Sequence, residues 1–404
     1  MKIGVITYFC VPNFGAQLQV LSTLGALRNM GHEAKLINWY PRSLENIYKR
    51  YVSKAQRNCQ LQFARDQYPL TSLCRKEDDL LRVIEKEYFD MIFTGSDALF
   101  RYVPQCNRFR AFSWRKMRYV NNYTSCEDIA DNPFFCTYYP KLHKKIPVVA
   151  FSVSSQSCPF YLMTKSERDR MSSCMKNFRH ITVRDEWTQK MVTEVAGIKD
   201  VPITPDPVFA FNSNIASPLP NLKDLVDGYH LPENYALVSF PVDSVSSIYV
   251  QQIADLLKER GITLVALPVP EGLNDFGLDH SIPLPLDPLT WYALIVNSRG
   301  YIGTRMHPVI VCLHNAIPFF SYDGNGTINA DGSFNTRSSK TYDILLRAGL
   351  QDNIFMTNSG APLPSADSVV DHLLSFDREK CASFANVMRD KYNQAMFTTL
   401  KYAL

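Results

Sequence analysis

Two side chains that can bind an anion, Arg305 and His307, lie two residues apart in the stretch YIGTRMHPVIVCLHNAIPFFSYD, residues 301–323. The apolar residues before them predict a short strand, Gly303 predicts a turn, and the apolar run from Pro308 predicts a helix. A guanidinium and an imidazole at such a turn lie beside free backbone N–H groups and the positive end of the helix. We therefore expect this turn to bind a phosphate or a carboxylate.

A second polar turn lies near the start of the chain. Asn13 and Gly15 stand between a predicted strand, Lys2–Tyr8, and a predicted helix, Ala16–Met30. Gly31 would end that helix, and a strand at Ala34–Asn38 would follow. The turn favours either a ligand contact or ordinary packing, and the sequence leaves both open.

A third turn contains a carboxylate. The buried strand predicted at Phe89–Phe93 is followed by Thr94, Gly95, Ser96 and Asp97. Asp97 would be a general base if a ligand binds here and a helix N-cap otherwise. Gly95 and Ser96 would then lie beside the same ligand.

Other polar residues support weaker hypotheses. Arg184 follows a predicted strand and precedes two acidic residues, so ligand binding competes with intramolecular salt bridges. Lys340 precedes a predicted helix and is either a ligand contact or a solvated lysine. His314 is more typical of a core or helix-end histidine, and Asp206 and Asp323 are more typical of turns.

Strands and helices alternate through both halves of the chain, and the polar, proline-spaced stretch 212–232 predicts a linker between them. The pattern favours an α/β fold with two Rossmann-like, doubly wound domains that face a cleft. We predict an N-terminal domain over residues 1–215, a C-terminal domain over 233–375, and a final helix over 376–404 that packs back on the N-terminal domain. Ligands of such sheets bind at the carboxyl ends of the strands, where the polar turns occur.

Composition narrows the class of protein. The chain has 404 residues, a net charge of +4 and no run of Lys or Arg, so a nucleic-acid partner is not indicated. Its ten cysteines are scattered without a Cys-x-x-Cys pair, which favours free thiols in a reducing compartment over a metal or disulfide framework. No apolar run reaches the roughly 18 residues of a membrane span. We expect a cytoplasmic protein, with peripheral membrane association only through a substrate.

Six stretches in order resemble the polysaccharide pyruvyl transferase family. They are the N-terminal strand with NFGAQLQ after it, FTGSD, ITVRDEWT, TPDPVF, the stretch at 301–323 and KTYDILLRAGL, and together they extend from residue 3 to about residue 350. No single stretch is specific, but their shared order is. The resemblance is weakest over 41–79 and 100–145, where an acceptor would be chosen.

The resemblance implies a fold of the glycosyltransferase-B type, a phosphoenolpyruvate donor and a sugar acceptor, with pyruvate attached as a cyclic ketal and phosphate released. It implies no metal and no cofactor. His307 is the candidate acid and phosphate partner, and Asp97 the candidate base. The candidate substrate-binding residues are Arg305, Arg184, Lys340, Asn13, Gly15, Gly95 and Ser96, and their cations suit a ligand with two anionic groups.

Two alternatives share these features. A glycosyltransferase that uses a sugar nucleotide would have the same architecture and would bind a diphosphate at a helix N-terminus. A non-catalytic carbohydrate-binding protein is the other, although it would not need the Arg305 and His307 pair. The aromatic stretch 100–139, with Trp114, is either core or a platform for sugar stacking.

Overall fold

The computed structural model describes residues 1–103, 132–242, 244–329 and 332–402, and the backbone alone of 109–113 and 116–119. The predicted sugar platform around Trp114 lies outside the described residues, as do residues 104–108, 114–115 and 120–131 of the divergent stretch 100–145.

Two five-stranded sheets form the centre of the molecule. The described strands, ten of which form these two sheets, are β1 Lys2–Ile6, β2 Glu33–Leu36, β3 Met91–Asp97, β4 Phe109–Ser113, β5 Lys116–Tyr119, β6 Val148–Val153, β7 His180–Val183, β8 Tyr235–Ser239, β9 Thr263–Ala266, β10 Tyr301–Thr304, β11 Phe319–Asp323, β12 Thr327–Ile328, β13 Phe334–Asn335 and β14 Ile354–Met356. The other four pair as β4 with β5 and β12 with β13. The first sheet has the order β2-β1-β3-β6-β7 and the second β14-β11-β10-β8-β9. Every pair within these two sheets is parallel.

Helices connect the parallel strands, as parallel pairing requires. They are α1 Phe14–Asn29, α2 Arg42–Tyr51, α3 Lys54–Gln67, α4 Glu77–Glu87, α5 Lys165–Met175, α6 Glu186–Ala196, α7 Phe211–Asn214, α8 Leu222–Tyr229, α9 Ser247–Lys258, α10 Pro288–Val296, α11 Met306–Asn315, α12 Lys340–Ala348, α13 Ala366–Leu374 and α14 Arg378–Lys401. Among the described residues, none of these helices is both long and apolar enough to span a membrane.

The central strand of each sheet leads to one of the predicted polar turns. Strand β3 is buried at every position and ends at Asp97, whereas β10 ends one residue before Arg305. Full burial explains why β3 begins with a continuous apolar run, Met91–Phe93, and not with an alternating pattern. Since parallel strands end at one edge of their sheet, this arrangement brings the polar turns of each half to its ligand-binding edge.

The two halves share one hydrophobic core. Phe14 at the start of α1 stacks on Trp291 of α10, with ring centroids 5.2 Å apart. The last helix, α14, contacts both halves, since Tyr392 packs on Phe151 of β6 and the Cys381 thiol donates to the backbone carbonyl of Leu313. Where one domain ends and the next begins remains a prediction.

Three local predictions were wrong. The chain at 94–97 is the end of β3 and not a turn, because Gly95 and Asp97 continue the ladder to Phe151 and Val153. The predicted linker 212–232 contains α8, whose Leu225 is buried. Lys340 is the first residue of α12 and does not precede it, because the Ser339 side chain caps that helix.

Candidate active site

A cavity of about 430 Å³ lies between the carboxyl ends of the two sheets. Residues of both halves line it, and they include six of the predicted site residues: Asn13, Gly15, Asp97, Arg305, His307 and Lys340. The other three, Gly95, Ser96 and Arg184, do not line it. Gly95 and Ser96 lie within β3, where a side chain at Gly95 would meet the Phe151 carbonyl oxygen at 2.1 Å.

Arg305 occupies an unusual backbone position between β10 and α11. Its φ of 79° lies in the left-handed region, which costs free energy for a residue other than glycine. The Tyr301 hydroxyl donates to the Thr304 carbonyl oxygen at 2.8 Å and supports this conformation. The guanidinium binds the carboxylate of Glu271 at 2.8 Å, in a pair that is about 40% exposed on both sides. Residues at strained positions cluster at functional sites, so this turn is a strong candidate.

His307 lies in the first turn of α11 and is almost completely buried. Its Nε2 atom has no hydrogen-bond partner among the described residues. Burial lowers the pKa of the imidazole to about 4, although the carboxylates of Asp97 and Asp206 act in the opposite direction. The ring is therefore neutral at pH 7 in the ligand-free protein, and the predicted acid role requires a bound anion to raise the pKa.

Gly15 allows His307 to reach the N-terminus of α1. A Cβ atom at position 15 would lie 1.9 Å from Cγ of the His307 ring, far inside contact distance. Asn13 caps the same helix, since its side-chain oxygen accepts hydrogen bonds from the backbone N–H groups of Gly15 and Ala16. Asn13 and Gly15 therefore both line the cavity, and the absence of a side chain at Gly15 leaves the space that the His307 ring occupies.

Lys340 supplies a further cation to the cavity. Its ammonium group makes no hydrogen bond and no salt bridge with any residue that the structure describes. Burial lowers the pKa of its ammonium group, and the positive charge of Arg184 lowers it further. A bound anion would offset both effects.

Arg184 is directed into the protein and not into the cavity. Its Nη1 donates to the Asp206 carboxylate at 2.6 Å, and its Nη2 lies 3.8 Å from Oδ1 of Asp97. The Asp206 carboxylate also accepts a hydrogen bond from Gln19. Although burial alone would raise the pKa of Asp206, Arg184 and His307 hold it below its ordinary value. The salt bridge that the sequence left open is present, and ligand binding by Arg184 remains a prediction.

Sequence reasoning overlooked Glu271 and underrated Asp206. Glu271 lies 34 residues before Arg305 and carries no local signal of the contact. Asp206 did carry one, because an aspartate between two prolines follows the last strand of the first half. We interpreted that pattern as a turn, and the side chain does cap the turn by accepting from the Val208 N–H at 3.0 Å.

A model of the polysaccharide pyruvyl transferase family matches residues 13–325. A search of functionally curated proteins found no match.

Solved structures resemble the chain over nearly its whole length at low identity. They include a putative UDP-N-acetylglucosamine 2-epimerase from Listeria monocytogenes, with 9% identity, a TM-score of 0.54 and coverage of 99% of this chain and 94% of that one. The UDP-GlcNAc 2-epimerase from Neisseria meningitidis, solved with UDP-GlcNAc bound, has 11% identity, a TM-score of 0.51 and coverage of 99% and 100%. A glycosyltransferase from Rickettsia africae has 10% identity, a TM-score of 0.50 and coverage of 100% and 97%. The predicted fold, two Rossmann-like domains of the glycosyltransferase-B type, is confirmed.

We predict that Gly15→Ala destabilises the protein. The added methyl group must displace the His307 ring, and overpacking of this kind costs roughly 1–3 kcal/mol in the free energy of unfolding, measured in urea. Gly228→Ala is the matched control, because position 228 is also helical and has open space around it. That substitution should be neutral or stabilising by up to about 1 kcal/mol. Equal tolerance at both positions would contradict the contact.

The buried imidazole predicts a pH dependence of stability. The pKa of His307 is about 4 in the folded protein and near 6.5 in the unfolded chain, so the unfolded chain binds more protons between these values. Its contribution to stability is therefore present above pH 6.5 and is lost as the pH falls towards 4. Urea unfolding of wild type and His307→Gln across this range should show a steeper loss for wild type. Parallel curves would show that His307 titrates normally.

Proposed function

Because the chain belongs to the polysaccharide pyruvyl transferase family and is therefore a transferase, we propose that it transfers the pyruvyl group of phosphoenolpyruvate to a sugar. The product is a cyclic ketal across two hydroxyls, in a bacterial surface polysaccharide or its lipid-linked precursor, and phosphate is released. Phosphoenolpyruvate is an intracellular metabolite, so the proposal places the reaction in the cytoplasm.

The observation that carries the proposal is a set of unpaired donors in one cavity. Nε2 of His307 is buried without a partner, and the ammonium of Lys340 has no carboxylate bound to it, in both cases among the described residues. The first turn of α11 adds the positive end of a helix. Phosphoenolpyruvate brings a phosphate and a carboxylate, which are the two anions that such donors would bind.

We assign the donor to the C-terminal wall of the cavity. Arg305, His307 and Lys340 all come from residues 233–375, whereas Asn13 and Asp97 come from residues 1–215, where we place the acceptor. Arg305 binds Glu271 through Nη2 only, and a guanidinium carries five N–H donors, so it can also reach donor oxygens. Phe14 and Trp291, which stack on each other, line the cavity from the two sides.

The first chemical step forms a bond from carbon to a sugar oxygen. A proton adds to the methylene carbon of phosphoenolpyruvate, which becomes a methyl group, and the positive charge that develops at C2 is attacked by the first hydroxyl. His307 supplies this proton once the phosphate and carboxylate have raised its pKa. Asp97 accepts the proton of the attacking hydroxyl. Its backbone φ of 114° and its contact with Arg184 hold this carboxylate at the cavity.

The second step replaces phosphate by the second hydroxyl. The bond from C2 to the bridging oxygen breaks, and phosphate leaves with the electron pair while Lys340 and Arg305 stabilise its charge. The second hydroxyl then bonds to C2 and closes the ring, and its proton goes to the departing phosphate. Asp97 then releases its proton to solvent and His307 takes one up, so both residues are restored. Overall, one of the two hydroxyl protons replaces the proton added to the new methyl group, and the other leaves on phosphate.

We predict that phosphoenolpyruvate binds and takes up protons at His307. Calorimetry at pH 6 in buffers of different ionisation enthalpy should show more proton uptake for wild type than for His307→Gln, because a bound anion raises the pKa of the imidazole from about 4. UDP-N-acetylglucosamine is the comparison ligand and should bind at least roughly 10-fold more weakly. Tighter binding of the nucleotide sugar would favour the glycosyltransferase alternative, and equal proton uptake in both proteins would exclude His307 as the acid.

Asp97→Asn should separate donor binding from transfer. The amide keeps the shape of the side chain but cannot accept a hydroxyl proton, so the rate should fall by roughly 10²–10⁴-fold. The measurement is phosphate release from phosphoenolpyruvate with a panel of nitrophenyl hexosides as acceptors, alongside the dissociation constant of phosphoenolpyruvate. Release at the wild-type rate would make Asp97 a structural residue.

A further inference from the structure

Behind the cavity wall, the carboxylate of Asp323 holds two segments that line the cavity, and we propose that Asp323 is a positioning residue for the donor. It acts through Ser339 on Lys340 and directly on Asn325. This inference rests on the proposed function, because it assigns Lys340 to the donor.

Asp323 is the last residue of β11 and is buried. One carboxylate oxygen, Oδ1, accepts hydrogen bonds from the backbone N–H of Asn325 at 2.8 Å and from its side-chain amide at 2.5 Å. Asn325 lines the cavity, whereas Asp323 does not. The carboxylate therefore fixes the loop after β11 from behind.

The second oxygen of Asp323 fixes the start of α12. Its Oδ2 accepts from the hydroxyl of Ser339 at 2.6 Å, and both side chains are buried. The Ser339 hydroxyl oxygen in turn accepts from the Tyr342 N–H at 3.1 Å, as the N-cap of α12. Lys340 follows Ser339 directly, so the hydrogen bond from Ser339 to Asp323 fixes the backbone position from which the lysine side chain extends.

Lys340 needs such an anchor for a physical reason. A cation in the first turn of a helix meets the positive end of the helix dipole, and burial adds a further cost. No direct ion pair between Lys340 and Asp323 is present, and the acidic neighbours that support the lysine's charge are Asp97, Asp185 and Asp206. Asp323 therefore contributes position and not charge compensation.

The test is a double-mutant cycle on the dissociation constant of phosphoenolpyruvate, measured by calorimetry. Ser339→Ala alone should weaken binding roughly 10-fold, because the hydrogen bond that fixes the first residue of α12, Lys340, to Asp323 is lost. Lys340→Met alone should weaken binding at least as much. Adding Ser339→Ala to Lys340→Met should then change the constant less than about 2-fold, since the serine acts through the lysine.

Ser365→Ala is the matched control for the loss of a helix cap. Ser365 caps α13 by accepting from the Ser368 N–H, and it does not line the cavity. Both serine variants should lose about 1 kcal/mol of stability, as a lost N-cap does, but Ser365→Ala should bind phosphoenolpyruvate as wild type does. Asp323→Ala removes the hydrogen bonds to Asn325 and Ser339 and should weaken binding about as much as Ser339→Ala. Asp323→Asn should restore binding to within roughly 3-fold of wild type, because an amide can still donate to the Ser339 oxygen and accept from Asn325.

Three results would overturn the inference. Effects of Ser339→Ala and Lys340→Met that multiply would show that the serine acts independently of the lysine. Equal weakening by Ser365→Ala would reduce the effect to stability, and a loss in Asp323→Asn as large as in Ser339→Ala would make the charge of Asp323 the important property. Unchanged binding in Lys340→Met would instead refute the donor role of Lys340 in the proposed function, and the inference with it.

Discussion

The absence of a side chain at Gly15 is the constraint on which the site depends. Only a glycine lets the His307 ring lie against the first turn of α1, where even a methyl group would overlap with it. The neighbours of Gly15 serve the same junction, because Asn13 caps α1 and Phe14 stacks on Trp291 of the other half. The stretch NFGA thus joins the two halves beside the cavity.

The charges around the cavity divide into a paired set and an unpaired set. Arg184 is paired with Asp206 through Nη1 and lies near Asp97, so its charge is compensated without a ligand. Its Nε and Nη2 atoms are buried without a hydrogen-bond partner among the described residues. His307 and Lys340 are not paired, and burial opposes the charged form of both. A bound anion would stabilise the charged forms of His307 and Lys340, because it supplies the negative charge that no protein group pairs with them among the described residues. The contact with Arg184 holds Asp97 in place in the ligand-free protein.

Local sequence patterns predicted the location of the site well. They predicted the contacts among its side chains poorly. The polar residues after β1 and β10 and at the end of β3 could be found because each group follows a strongly apolar segment, and strand ends meet at one edge of a parallel sheet. The contacts of Arg184 with Asp206 and of Arg305 with Glu271 could not, since each joins segments that only the tertiary fold brings together. The strand end at Gly95 and Asp97 resembled a turn because its glycine and polar residues are typical of turns, and pairing with β6 overrode that local preference.

A crystal structure of the protein with phosphoenolpyruvate tests the account most directly. We expect the ligand in the cavity between the two sheets, with one anionic group within hydrogen-bond distance of Nε2 of His307 and the other bound by Lys340 or Arg305. The methylene carbon should face the His307 ring, and C2 should face Asp97 across the cleft. Phosphoenolpyruvate bound elsewhere, or in this cavity without contact to His307 and Lys340, would contradict the account.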